Sequence, residues 1–189
     1  VRSRSAQGSI AKKNGQSFER RLESYFILQN NLGFCDIRKQ NEALKPVRSL
    51  GGGKFLAVYQ TQSGCDYFGT LYGGNSIVAE AKHRESDRIR LSDFTESEIN
   101  HLKKTSALGG YALVFIEFSD KKMFLIPFAL IEKSELLFRY KHIKEVALID
   151  NGFEFSFSEK ITAVAPRNFR KGMSMILSKK EVLHGIEQD

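Results

Sequence analysis

Residues 111–118, Tyr-Ala-Leu-Val-Phe-Ile-Glu-Phe, are apolar apart from one glutamate, with Gly109-Gly110 just before them. A short run this apolar reads as a strand covered on both faces, which makes it a central strand. The rest of the chain has to be arranged around it. Upstream, TESEINHLKKTSALGG (95–110) predicts a helix with Ile99, Leu102 and Ser106 on one face and Gly109 as its stop. Downstream, KMFLIP (122–127) predicts a shorter neighbouring strand, and FALIEKSELLFRY (128–140) a helix.

The N-terminal side follows the same logic. Phe18, Leu22, Tyr25 and Phe26 recur at helical spacing between Ser9 and about Asn31, and Asn30-Asn31-Leu32-Gly33 is a stop signal. FCDIRKQ (34–40) alternates like a strand. Residues 41–62 hold Pro46 and three consecutive glycines, which predict an excursion or flexible loop instead of a regular element. Near the C-terminus, EVALID-NG-FEFSFS (145–158) carries the signal of a β-hairpin with an Asn-Gly turn. In that reading Phe153, Phe155 and Phe157 share one face, as core or dimer interface. The expected architecture is a mixed α/β domain with one central β-sheet flanked by helices.

Composition narrows the setting. A chain of 189 residues suits one domain with a real core. No apolar run approaches the roughly 18 to 20 residues that would span a bilayer, and VRSRSAQGS has no hydrophobic signal core, so the expectation is a cytoplasmic protein without a membrane partner. Cys35 and Cys65 are too few for a disulfide framework and lack zinc-ligand spacing. The net charge of +7 suits a polyanionic partner, because neutralised phosphates release condensed counterions. Arg2, Arg4, Lys12, Lys13, Arg20 and Arg21 crowd the first segment, and residues 1–8 read as a mobile basic arm.

The chemistry concentrates in SGCDYFGTLYGGNSIVAEAKH (63–83), read as two strands around a glycine-rich turn. Strand side chains alternate, so Glu80 and Lys82 point one way while Ile77, Ala79, Ala81 and His83 point the other. A turn centred near Gly73 pairs position 66 with position 80 and sets the Asp66 and Glu80 Cβ atoms about 5 Å apart. Two such carboxylates repel unless a cation lies between them or one takes a proton. Oxygen ligands of this kind suit Mg²⁺ or Mn²⁺, and a nearby lysine can orient an attacking water. With a basic surface, the set describes phosphodiester hydrolysis. Spacing alone equally describes a salt-bridged hairpin.

Asp66-Tyr67-x-Gly69, Glu80-Ala81-Lys82, LSDFTESEINHLKKTSALGG and YALVFIEF, taken in order, resemble the RecU-type Holliday junction resolvases of the PD-(D/E)XK nuclease superfamily. NGQSFERRLE resembles that family's first helix, PVRSLGGGKF sits where the family carries its stalk, and Ala165-Pro166-Arg167 is a weaker echo. The resemblance implies a restriction-endonuclease-like fold with a short stalk-like excursion at 41–62. The expected organisation is one nuclease domain over residues 9–189, whose 141–189 part the residue pattern reads as a β-containing C-terminal extension. The resemblance also implies that Asp66 and Glu80, with the Ala81 carbonyl, bind Mg²⁺ (or Mn²⁺), and that Lys82 holds the nucleophilic water. Glu19 matches an acid that reaches the metal in related nucleases, and equally suits a surface pair with Arg20 or a nearby lysine. Glu98 stands where the family often has glutamine, and would either add a ligand or face solvent. Ser63, Lys45, Arg48, Lys54, Lys103 and Lys104, the last two beside His101, are candidate DNA contacts. The implied partner is branched DNA, a four-way junction cut by a homodimer with two opposed sites. A duplex-DNA nuclease of restriction or repair, or a DNA-binding protein without activity, are the alternatives.

Overall fold

The computed structural model describes residues 4–41, 44–59 and 64–186. The chain opens with helix α1 (Arg4–Asn31), strand β1 (Cys35–Lys39) and a hairpin of β2 (Leu44–Gly51) and β3 (Lys54–Tyr59). Strands β4 (Tyr67–Leu71), β5 (Asn75–Arg84) and the short β6 (Arg88–Ile89) follow, then a 3-10 turn and helix α2 (Glu96–Ala107). Next come β7 (Tyr111–Phe118), β8 (Met123–Pro127), and the short helices α3 (Phe128–Glu132) and α4 (Ser134–Phe138). Strand β9 (Ile143–Lys144), helix α5 (Glu145–Asp150) and the long α6 (Ile161–Ile186) complete the described chain.

The central sheet has the order β1-β4-β5-β7-β8. Only β5 and β7 run parallel, and the crossover between them carries α2. Strand β7 is buried from Ala112 to Phe118, as its composition requires of a strand covered on both faces. On one face, Phe18, Leu22 and Phe26 of α1 and Ile161, Val164 and Ala165 of α6 close over Ile77, Ala79, Leu113 and Phe115. On the other, Leu102 of α2 and Phe128 and Leu130 of α3 close over Val78, Val114 and Ile116. The Phe26 ring meets Phe115 edge-on at 5.5 Å, and truncating such a side chain to alanine costs about 3 to 5 kcal/mol. No described helix is long and apolar enough to cross a membrane.

Three expectations need correction. The helix begins at Arg4, so the basic arm expected over residues 1–8 is helical from residue 4, and residues 1–3 lie outside the described chain. The 41–62 excursion contains a regular element after all, the β2–β3 hairpin. Gly51, Gly52 and Gly53 all take positive φ (79°, 57° and 77°) and close its end, while Pro46 is accommodated at an irregularity between Pro46 and Arg48. Its described side chains are nearly all exposed, so it stands off the core.

The third correction is the hairpin expected at 145–158: the C-terminal region does contain the two-residue strand β9, but it is otherwise mainly helical and forms no hairpin there. Residues 145–150 form α5, with Leu148 buried and Val146 exposed, and Gly152 (φ 65°) reverses the chain after this helix in place of a hairpin turn. The segment after it runs extended along β8 through a single bridge between Phe124 and Glu154. Phe153 enters the core on the α2 side and Phe155 the core on the α1 side. The three phenylalanines therefore do not share a face.

Candidate functional site

The β4–β5 hairpin positions the acids. Leu71 pairs with Asn75 across Tyr72-Gly73-Gly74, where both glycines have positive φ (89° and 86°) that other residues adopt only with strain. The pairing runs back to Tyr67 opposite Ala79 and then stops. One step further, Asp66 stands across from Glu80 at the mouth of the fork where β4 ends and β5 continues. There the Ala81 N–H donates to Asp66 Oδ2 at 2.9 Å, so the carboxylate takes the place of a backbone partner. The Asp66 N–H donates to Glu80 Oε2 at 3.2 Å.

The same face of β5 then offers Lys82. Its Nζ donates to Glu80 Oε1 at 2.7 Å and to Glu98 Oε2 at 2.8 Å, and lies 4.9 Å from the centre of the Phe94 ring. Glu98 is fixed by a second duty. It is the third residue of α2, and its side chain accepts from the Thr95 N–H at 3.0 Å while the Thr95 hydroxyl accepts from the Glu98 N–H. This capping box couples the start of α2 to the lysine.

Electrostatics follow from the crowding. Burial, then the Asp66 charge, pushes the Glu80 carboxyl up to about 8, with Lys82 pulling the other way. Asp66 is also raised, chiefly by burial and against the Ala81 N–H, and its carboxyl is near enough to Glu80 for one to hydrogen-bond the other. Burial works against the Lys82 ammonium, yet Glu80 and Glu98 outweigh it and hold its pKa above the usual lysine range. Two acids and one firmly charged lysine thus meet, largely buried, where the β4–β5 pairing ends.

The other candidates are placed less centrally. Glu19 of α1 is close enough for its charge to raise Asp66, but its carboxylate is engaged by Lys39 at 2.9 Å, a lysine shared with Glu23. Ala81 sits between the acids through its backbone. Lys45, Arg48 and Lys54 are exposed on the β2–β3 hairpin. Lys103 is exposed on α2 with Glu132 3.1 Å away, and Lys104 is exposed beside it. Ser63 lies outside the described residues. His83 points away from Lys82, into a buried contact with Glu117 on the α1 face.

Sequence reasoning left Glu98 unassigned and passed over Phe94. The signal for Glu98 was present, since Thr95-x-x-Glu98 is a capping-box pattern that aims the glutamate back toward the helix start. Nothing in the spacing marked Phe94.

Among the described residues no three His, Cys, Asp or Glu side chains gather as a ready metal cage. The cluster is a two-carboxylate site. Among solved structures, the chain is similar to Archaeoglobus fulgidus Hjc, a Holliday junction resolvase from an archaeal hyperthermophile. The identity is 15% and the TM-score 0.44, over 74% of this chain and 96% of that one. No curated protein matches. A family model described as RecU, Recombination protein U, matches residues 13–163, a span that takes in α1 from Lys13 onward, the whole central sheet and the Asp66–Glu80–Lys82 cluster. The chain belongs to the RecU family.

Proposed function

We propose that this chain is a Mg²⁺-dependent (or Mn²⁺-dependent) endonuclease that resolves four-way DNA junctions in recombination and repair, working as a homodimer. The observation that carries the reading is the convergence of Asp66, Glu80 and Lys82 on one fork of the sheet in a RecU-family chain. The residues suit a hard divalent cation. Both acids have raised pKa values, Asp66 chiefly through burial and Glu80 through burial and then the Asp66 charge, and a cation between them would offset that penalty. One or two carboxylates with a backbone carbonyl and several waters is a usual Mg²⁺ environment. Asp66, Glu80 and the Ala81 carbonyl would hold the ion, which when bound lowers the pKa of a water and neutralises charge on a phosphoryl oxygen.

The chain's own groups do the rest. Lys82, kept as an ammonium by Glu80 and Glu98, has a third N–H free of those two partners with which to orient the attacking water. It cannot serve as the base while it remains charged. Its charge also meets the phosphate, which builds negative charge as the water oxygen bonds to phosphorus and the opposite P–O bond breaks, the water's proton passing to bulk solvent and the leaving oxygen taking one from it. The exposed Lys45, Arg48 and Lys54 give the hairpin a basic surface for the arms of a junction.

The test is cleavage of end-labelled four-way junctions and linear duplexes of equal sequence, with Mg²⁺ and with EDTA. Junction cutting that requires the metal supports the reading. Equal cutting of both substrates would assign a general duplex nuclease, and full cutting in EDTA would sink the mechanism.

A further inference from the structure

Beside the acidic fork lies an open cleft of about 550 Å³ lined by Lys39, Gln40, Asn41, Phe68 and His101. Single exposed apolar side chains need no explanation, but this one has unusual surroundings. Phe68 is 45% exposed on β4, two positions from Asp66, and pairs with Val78 two positions from Glu80. With a strand period of two, its ring stands on the same side of the sheet as the acids, about 7 Å further along. That is about the reach from a phosphate to the base of a neighbouring nucleotide.

The rim is built as well. The Gln40 N–H donates to the Asp66 carbonyl at 2.7 Å, which ties the cleft's edge to the acid itself. His101 sits on α2 one turn past Glu98, and its ring is seated against Gly64, where any Cβ would come within 2.0 Å of Nδ1. An aromatic face flanked by two carboxamides and an imidazole offers stacking and both donors and acceptors.

We propose that this cleft receives a nucleobase adjoining the cleaved phosphodiester, with Phe68 stacking on its face and Gln40, Asn41 and His101 meeting its edge. The cleft would thereby set which base may stand beside the cut. This rests on the nuclease reading above, and it assigns a role to the one open position of the Asp66-Tyr67-x-Gly69 motif.

The experiment uses full-length protein, a pool of junctions with randomised sequence around the branch, and the variants Phe68→Ala and Phe68→Trp. Cleavage positions are sequenced with Mg²⁺. Binding is read with 2-aminopurine placed at successive positions, with Ca²⁺ replacing Mg²⁺ so that strands stay intact. The expected result is a base preference beside the cut that flattens in Phe68→Ala and persists in Phe68→Trp. A 2-aminopurine signal at that position should change on binding to wild type and lose that change in Phe68→Ala, with binding weakened about tenfold. Unchanged base preference and fluorescence in Phe68→Ala overturn the cleft while leaving the nuclease reading standing. Wild-type protein that neither cuts nor perturbs any 2-aminopurine overturns both.

Discussion

Two glutamates are buried in adjacent strands of this sheet, and they are treated in opposite ways. Glu117 of β7 is fully buried on the α1 face, where Arg21 and His83 contact it directly and Lys121 lies 3.5 Å away. Glu80 of β5 is 3% exposed on the α2 face, with one lysine, and a second carboxyl is set against it. A buried charge persists when it is paired and hydrogen-bonded on all sides. Glu117 meets that requirement and ties α1 to the sheet. Glu80 is short of positive charge, which raises its pKa and, on the function proposed above, is the penalty a divalent cation would offset.

The contrast can be broken from either side. The largest effect is expected in catalysis: Asp66→Asn or Lys82→Ala should lower junction cleavage at least about 100-fold while binding persists, whereas Glu117→Gln should still cut. Next, Glu117→Ala should destabilise the protein by about 3 kcal/mol in urea unfolding, because it strips the partner from buried His83.

Glu80→Gln should do the reverse in metal-free protein. The Glu80 carboxyl titrates near 8 in the folded chain against an ordinary 4.5, so its contribution to stability is complete below about pH 4.5 and is lost as pH rises through about 8. At pH 9 the variant should therefore be more stable than wild type by roughly 1 to 3 kcal/mol, and equal stability at that pH would refute the strain assigned to this pair. Glu98→Gln preserves the helix cap but removes one of the two carboxylates that hold Lys82, and should slow cleavage about tenfold without changing junction affinity. Smallest of all, alanine at Lys45, Arg48 or Lys54 should each reduce the slope of log affinity against log salt by about one, read from junction titrations.

Much of this contrast was legible beforehand. Period two and a glycine turn suffice to bring Asp66 opposite Glu80 and to send His83 to the other face. What was hidden depended on long-range packing. The EVALID segment scans equally as strand or helix, and only burial of Leu148 with Val146 left outside decides it. Residues 161–176 do carry apolar residues at helical spacing, but Pro166 and Gly172 interrupt the pattern. Gly172 is explained by Pro127, whose ring would lie 2.7 Å from any Cβ there. The β2–β3 hairpin was obscured because its apolar residues, Phe55 and Leu56 among them, are exposed, so no buried face disciplines the alternation. Phe68 lies in a motif whose spacing is informative at every position except its own.

The three-residue connection between Leu71 and Asn75 has a further consequence. Because Asp66 is aimed by register, the site depends on how many residues separate 66 from 80 more than on which residues they are. Changing Tyr72 alters a surface. Slipping strand β4 by one residue would turn the acid through the sheet to face α1, and would expel the buried Tyr67 and Leu71 along with it. A lineage carrying this fold can vary Tyr72 freely, but it inherits the two glycines and the length as part of the enzyme.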